Sequence, residues 1–195
     1  EEGLIVDYKE RYNWQAFWLI DPLDGTKEFI KKNNEFTVNI ALMINNNPIF
    51  GVVYAPALDI MFWGGEGFGA YKSVANGPDK SISVKKKFDS PIKIATSRSH
   101  PSSQMNNFLS QFNNFSLHSI GSSLKLCAVA DGTVHLYPRL GPTMEWDTAA
   151  SHAIVKAAGG EVKIYGTDEP IKYNKKELLN SKFLVANIKF FQNIK

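Results

Sequence analysis

The sequence predicts an α/β protein in which helices and two β-sheets stack in alternating layers. Three observations lead there. Strand-like segments follow one another from residue 16 to residue 71, separated by short turns rich in Gly, Asn and Pro. From residue 92 onward, strand patterns alternate with helical ones, as in a sheet covered by helices. Between these regions, residues 73–91 are polar and carry Gly77-Pro78 and Ser90-Pro91, which marks an internal boundary. The expected division is a first subdomain over residues 1–85 and a second over residues 86–195.

Residues 16–20 form an apolar run that reads as a buried strand, ending at Asp21. Thr26 begins a short helix suggested by Lys27-Glu28-Phe29-Ile30. Phe36, Val38, Ile40, Leu42 and Ile44 then alternate with Thr37, Asn39, Ala41, Met43 and Asn45. That is a strand with one face more apolar than the other. Asn45-Asn46-Asn47-Pro48 turns the chain into a strand over 49–54. Segments 58–63 and 68–71 continue an antiparallel meander around a Gly-rich turn at 64–67. In the second half, strands are expected at 92–95, 115–120, 134–137 and 161–165. Helices are expected at 102–112 and 122–130, and as an alanine-rich segment beginning at Asp147 and stopped by Gly159-Gly160.

Composition excludes more than it selects. The chain has 195 residues, 44% apolar and 21% charged, enough for a real core. A net charge of +3 suits small anionic substrates and is too weak to argue for nucleic acid. Lys85-Lys86-Lys87 is a short local run of the kind found on solvated strands and loops. No stretch has the length and apolarity of a membrane span, and the start has no signal-peptide pattern. The single cysteine, Cys127, rules out an intrachain disulfide and reads as core packing. Together these features suit a cytoplasmic enzyme.

The most informative segment is Trp18-Leu19-Ile20-Asp21-Pro22-Leu23-Asp24-Gly25-Thr26. Pro22 favours a sharp exit from the strand, and Gly25 lets the backbone approach a ligand closely. Two acids and a carbonyl at a strand end, facing a helix N-terminus, suit hard cations bound to a phosphate. An Asp-x-x-Asp pair alone is more commonly a turn or a helix cap. Glu145-Trp146-Asp147-Thr148-Ala149-Ala150 is a second block, with Asp147 where an N-cap belongs. Ser119-Ile120-Gly121-Ser122-Ser123-Leu124-Lys125 is a third; Gly121-Ser122-Ser123 is either an anion cradle or a plain helix cap.

Taken whole, the nine-residue string resembles the signature of the lithium-sensitive, magnesium-dependent phosphatases typified by inositol monophosphatase. Lys27-Glu28-Phe29 narrows the likeness to the 3'(2'),5'-bisphosphate nucleotidases of the bacterial CysQ type. The Trp146-Asp147 pair opening an alanine-rich helix matches that family's second signature, and the 119–125 block matches its CysQ branch. The likeness runs from Glu1 to about Gly160 and is vaguer beyond.

The resemblance implies a sugar-phosphatase-like layered fold and a site built on magnesium, with two or more ions. It implies that Asp21 bridges two ions, that Glu1 and the Leu23 carbonyl help to hold the first, and that Asp24 and Asp147 hold the second. Glu2 takes the place of Glu1 if the register is shifted by one. Thr26 would set its hydroxyl near the attacking water, which makes Asp21, Thr26 and Glu1 the catalytic set. The amides of Gly25 and Thr26 would meet the substrate phosphate, bordered by Glu1, Leu23, Asp24 and Asp147. Ser122 and Lys125 would touch the nucleotide portion. His100, in the Ser97-Arg98-Ser99-His100 segment after a strand, and Arg139 are further candidate substrate contacts read from the residues alone, with a plain surface position as the alternative for each. His118, His135 and His152 lack metal-ligand spacing and read as structural.

Members of this family carry several dozen largely helical residues before the Glu-Glu pair that corresponds to Glu1-Glu2. The expectation is therefore of a chain lacking its N-terminal helical part, either trimmed or split. The chemistry is legible all the same. Hydrolysis of a phosphate monoester brings negative charge to an already anionic phosphorus, which paired divalent cations about 4 Å apart can stabilise. The implied reaction is hydrolysis of adenosine 3',5'-bisphosphate to AMP and phosphate. Rivals are an inositol or sugar phosphatase with the same metal set, and a non-catalytic nucleotide- or metal-binding protein. Oligomeric state is left open.

Overall fold

The structure is a computed structural model that describes residues 6–97 and 103–191. After a single-turn helix α1 (Tyr8–Arg11), the chain forms β1 (Ala16–Asp24), α2 (Thr26–Ile30), β2 (Thr37–Ile44), β3 (Asn47–Ala55), β4 (Ile60–Gly65), β5 (Gly69–Val74) and β6 (Lys80–Ser81). These six strands make one antiparallel sheet in sequence order. The second half comprises β7 (Ile92–Thr96), α3 (Ser103–Leu109), β8 (Phe115–Ser119), α4 (Leu124–Ala130), β9 (Leu136–Arg139), α5 (Glu145–Ala157), β10 (Gly160–Ile164), β11 (Phe183–Asn187) and α6 (Ile188–Phe191). Its sheet has the order β10-β11-β9-β7-β8, with β7 parallel to both β8 and β9 and the other pairs antiparallel. Among the described residues, no helix is long and apolar enough to cross a membrane.

Helices α4 and α5 lie between the two sheets, and a core of buried residues joins them. It draws Ala41, Met43 and Val53 from the first sheet, Val129, Ala150 and Ile154 from the helices, and Tyr137 and Val185 from the second sheet. The far side of the second sheet packs against α3 and α6 through Ile94, Phe108, Leu136, Leu184 and Phe190. Both faces of β11 are therefore covered, so Phe183-Leu184-Val185-Ala186 is apolar without alternation. That strand was not anticipated in the sequence, nor were α1, β6 and α6.

Two sequence readings need correction. Residues 16–20 do form a strand, but not a buried one. β1 is an edge strand, with Phe17 and Leu19 turned to the core while Trp18 and Ile20 are 60% and 53% exposed. The strand also does not stop at Asp21 but continues to Asp24. In β2 the period is as expected, yet the buried face is the less apolar one: Thr37, Asn39, Ala41 and Met43. The reason is the approach of α5. Its small residues Ala149 and Ala150 pack close to the sheet, and a Cβ added to Gly51 on β3 would lie 2.1 Å from the Ala150 carbonyl oxygen. Only glycine permits that spacing.

Candidate active site

The site grows out of an irregularity in β1. Asp21 pairs with Asn39 and Asp24 with Thr37, so three residues of β1 run against two of β2. This is a β-bulge, and it falls at Pro22, which has no amide to give to the ladder. Asp21 folds back on the bulge and accepts a hydrogen bond from the Leu23 amide at 3.0 Å. Gly25, with φ of 90°, then turns the chain into α2. A side chain at Gly25 would press on Ser122 at 3.3 Å.

Asp147 comes from the other direction. The structure corrects its position: α5 starts at Glu145 with Met144 as the cap, and Asp147 is the third helical residue. Its Oδ2 reaches back to accept the Met144 amide at 2.9 Å. The start of α5 is tied down behind it by Glu145, a fully buried carboxylate. Glu145 accepts the amides of Asn174 and Lys175 and pairs with the Lys175 ammonium at 2.5 Å.

Asp21, Asp24 and Asp147 each offer a carboxylate oxygen, and the three oxygens lie within 4.8 Å of one another. Burial first, then the charges of Asp24 and Asp21, raise the Asp147 carboxyl to about 7; the Met144 amide acts in the opposite sense. A trio of oxygens this close is a donor set for a hard divalent cation, which would relieve that repulsion. Asp24 is braced from behind. Its Oδ2 accepts the Ser123 amide at 2.6 Å and a short hydrogen bond from the Ser122 hydroxyl. Ser122 and Ser123 are in turn bonded to Thr37, and Ser123 to Asn39.

Beside the carboxylates opens a cavity of about 580 Å³. Asp24, Gly25, Ser122, Lys125, Arg139 and Asp147 line it, with Lys27 and Lys31 on its α2 side. Lys125 is buried, lies over the Tyr137 ring at 5.7 Å and donates to the Ile120 carbonyl at 3.3 Å. Burial lowers its ammonium to about 8, while Asp24 draws it back up. Arg139 is fixed by the Ser97 hydroxyl and the Pro142 carbonyl, and its Nε is buried without a hydrogen-bond partner. Thr26 Oγ1 is also buried without one.

The fold thus gathers Asp21, Leu23, Asp24, Gly25, Thr26, Ser122, Lys125, Arg139 and Asp147 in one region. Glu1, Glu2 and His100 lie outside the described residues. Ser122 lines the cavity as anticipated, but its hydroxyl is engaged with Asp24. His135 and His152 are core residues; Cys127 is buried, which pushes its thiol up. Thr37 and Asn39 were missed as site residues, and Ser123 was anticipated only as part of the Gly121-Ser122-Ser123 segment. A signal existed for the first two: polar side chains at alternate positions of an otherwise apolar strand.

Comparison with known proteins identifies the family. The inositol monophosphatase family model matches residues 1–192. The 3'(2'),5'-bisphosphate nucleotidase CysQ of Escherichia coli (strain K12) is 47% identical over 180 residues, covering 92% of this chain and 71% of that protein. Its counterpart in Buchnera aphidicola is 46% identical over 169 residues, covering 83% of this chain and 62% of the relative. The crystal structure of CysQ from Bacteroides thetaiotaomicron superposes with a TM-score of 0.88 at 43% identity, over 96% of this chain and 75% of that one. An inositol monophosphatase structure from Anabaena (Nostoc) sp. PCC 7120 gives 0.76 at 30% identity, over 93% and 70%. With the match spanning nearly every residue, from the two signature blocks to the last strand, the chain belongs to the inositol monophosphatase family.

Proposed function

We propose that this chain is a magnesium-dependent phosphomonoesterase acting on a 3',5'-bisphosphate nucleotide, with adenosine 3',5'-bisphosphate converted to AMP and phosphate. The observation that carries this reading is the trio Asp21, Asp24 and Asp147 at the edge of a cationic cavity. The donor set fits: all-oxygen ligands, mutual repulsion in a partly buried site, and open space on one side suit magnesium bound with phosphate. Likeness to the CysQ nucleotidases supports the nucleotide over an inositol phosphate.

In this reading Asp21, Asp24 and Asp147 would hold the metal, with Glu1 and the Leu23 carbonyl as further ligands. The chemistry such ions supply when bound is charge stabilisation at phosphorus and a more acidic water. Thr26, whose buried hydroxyl has no other partner, orients the attacking water. Gly25 leaves its backbone open to the phosphate. Lys125 and Arg139, with Lys27 and Lys31 opposite, give the cavity the positive potential that a second phosphate requires.

The test is turnover of adenosine 3',5'-bisphosphate against inositol 1-phosphate, with magnesium and with EDTA. Magnesium-dependent release of phosphate is expected, with kcat/KM higher for the nucleotide. Preference for inositol phosphate would transfer the chain to the sugar-phosphate branch. Nucleotide binding without phosphate release in any metal would favour a non-catalytic role.

A further inference from the structure

We propose that Asn39, Ser123, Thr37 and Ser122 form a one-directional chain of hydrogen bonds that ends on Asp24 and fixes it as a cation ligand. The proposal rests on the metal-site reading above, because it takes Asp24 as a carboxylate. Beside a longer contact of 3.4 Å from Thr37 Oγ1 to Asp24 Oδ2, four short contacts link the five groups in series: Asp24 Oδ2 to Ser122 Oγ, Ser122 Oγ to Thr37 Oγ1 at 2.6 Å, Thr37 Oγ1 to Ser123 Oγ at 2.8 Å, and Ser123 Oγ to Asn39 Oδ1 at 2.8 Å. Each needs one hydrogen. Three hydroxyls supply one each, and a carboxylate supplies none. The fourth hydrogen must come from the Asn39 amide.

That requirement orients every member. Asn39 turns its NH2 toward Ser123; the O and N ends of an amide are assigned by the network they serve. In the structure Ser123 Oγ donates to Asn39 Oδ1, and Asn39 Nδ2 is buried without a hydrogen-bond partner; turning the amide over brings Nδ2 to Ser123. Ser123 then donates to Thr37, Thr37 to Ser122, and Ser122 to Asp24. Thr37, Asn39 and Ser123 are 0%, 1% and 2% exposed, so no bulk water stands in for a missing donor. Asp24 Oδ2 receives this chain together with the Ser123 amide, which leaves Oδ1 for the cation. Thr37 and Asn39, which do not line the cavity, are thus positioning residues acting through Asp24, and Ser123, which does line it, gives its hydroxyl to the same chain. The opposite polarity runs from a protonated Asp24 to an accepting Asn39.

The two polarities are separable by experiment. Mn2+ binding to the whole chain is measured by calorimetry, alongside magnesium-dependent turnover. Thr37→Val removes one link without changing shape, and the dissociation constant is expected to rise about tenfold or more, the range for groups that support metal ligands. Thr37→Ser keeps the hydroxyl and should bind within about threefold of the parent. Asn39→Asp keeps the acceptor and removes the donor. It too should weaken Mn2+, although an added negative charge by itself would tighten cation binding. Parental affinity in both Thr37→Val and Asn39→Asp, with Asp21→Asn unable to bind, would overturn the chain and leave the metal site standing. A parent protein that binds no Mn2+, or an Asp21→Asn variant that binds it normally, would instead overturn the metal-site reading. If Asn39→Asp does not fold, the Thr37→Val and Thr37→Ser pair decides.

Discussion

Asp24 faces Thr37 across the β1–β2 ladder, two positions along β2 from the Asp21–Asn39 pair, although three residues separate the two aspartates in sequence. In a regular strand, residues three apart point to opposite faces. The one-residue bulge cancels that inversion. Both carboxylates therefore join the face of the sheet on which α5 packs, where Asp147 meets them.

Inserting one residue between Val38 and Asn39 should give β2 three steps against the three of β1, abolish the bulge and send the Asp24 side chain to the solvent face, since residues three apart in a regular strand point to opposite faces. The expected result is a folded protein with no measurable Mn2+ binding at millimolar concentration. Calorimetry with circular dichroism checks it, and retained binding would mean that the bulge is not what aligns the carboxylates.

Asp21→Asn should lower magnesium-dependent kcat about a hundredfold or more, equivalent to roughly 3 kcal/mol of transition-state stabilisation. Asp147→Asn should act on stability as well. The folded Asp147 carboxyl stands near 7, above its ordinary 3.8, so its ionisation opposes folding increasingly as pH rises between those values. At pH 8 in EDTA the Asn variant should melt higher than the parent, at about 2–4 °C for each kcal/mol relieved. It should also lose the upward shift in melting temperature that magnesium gives the parent. Scanning calorimetry with and without magnesium distinguishes these outcomes.

Gly51→Ala places a methyl group where the Ala150 backbone stands. No rotamer change makes room, so sheet and helix must separate, at a cost of about 1–3 kcal/mol. Because α5 carries Asp147, weaker cation binding should accompany the loss of stability. Urea unfolding and Mn2+ titration on one preparation would show the two effects together, and unchanged values for both would refute the close approach.

His152 supplies a pH test away from the site. It is fully buried against Tyr173, with Nδ1 2.9 Å from the tyrosine oxygen. Burial first, then Lys156, lowers it from 6.5 to about 3. Below pH 6.5 the unfolded chain takes up a proton that the folded chain refuses until about pH 3. Stability from this group is therefore complete above 6.5 and falls with decreasing pH, by about 1.4 kcal/mol per unit within that window. His152→Gln should reduce the slope of unfolding free energy against pH between 6 and 4 by one proton. An unchanged slope would show that the acid sensitivity lies elsewhere.

How far the sequence spoke depended on how local the cause was. The meander of the first half was readable because each turn carries its own Gly, Asn or Pro signal, and the acids at 21 and 24 stood out through the whole nine-residue string around them, since their spacing alone reads as a turn or cap. β11 was not readable, since a strand covered on both faces loses the alternation that identifies one. Asp147 was assigned to the cap because the cap and the third helical position both favour an acid. Thr37 and Asn39 gave no local sign of a site beyond their alternation, since polar residues alternating along a strand usually face solvent.

By itself, then, the sequence determined which residue types stand at which spacing: the acids at 21, 24 and 147, the hydroxyls at 122 and 123, and the small residues that open α5. Only the tertiary structure decided which way they point. Direction along β1 depends on one extra residue measured against a partner strand. The buried face of β2 depends on how closely α5 can approach Gly51. Both are relations between segments distant in sequence, and burial at short range makes them outweigh the local preference of any residue.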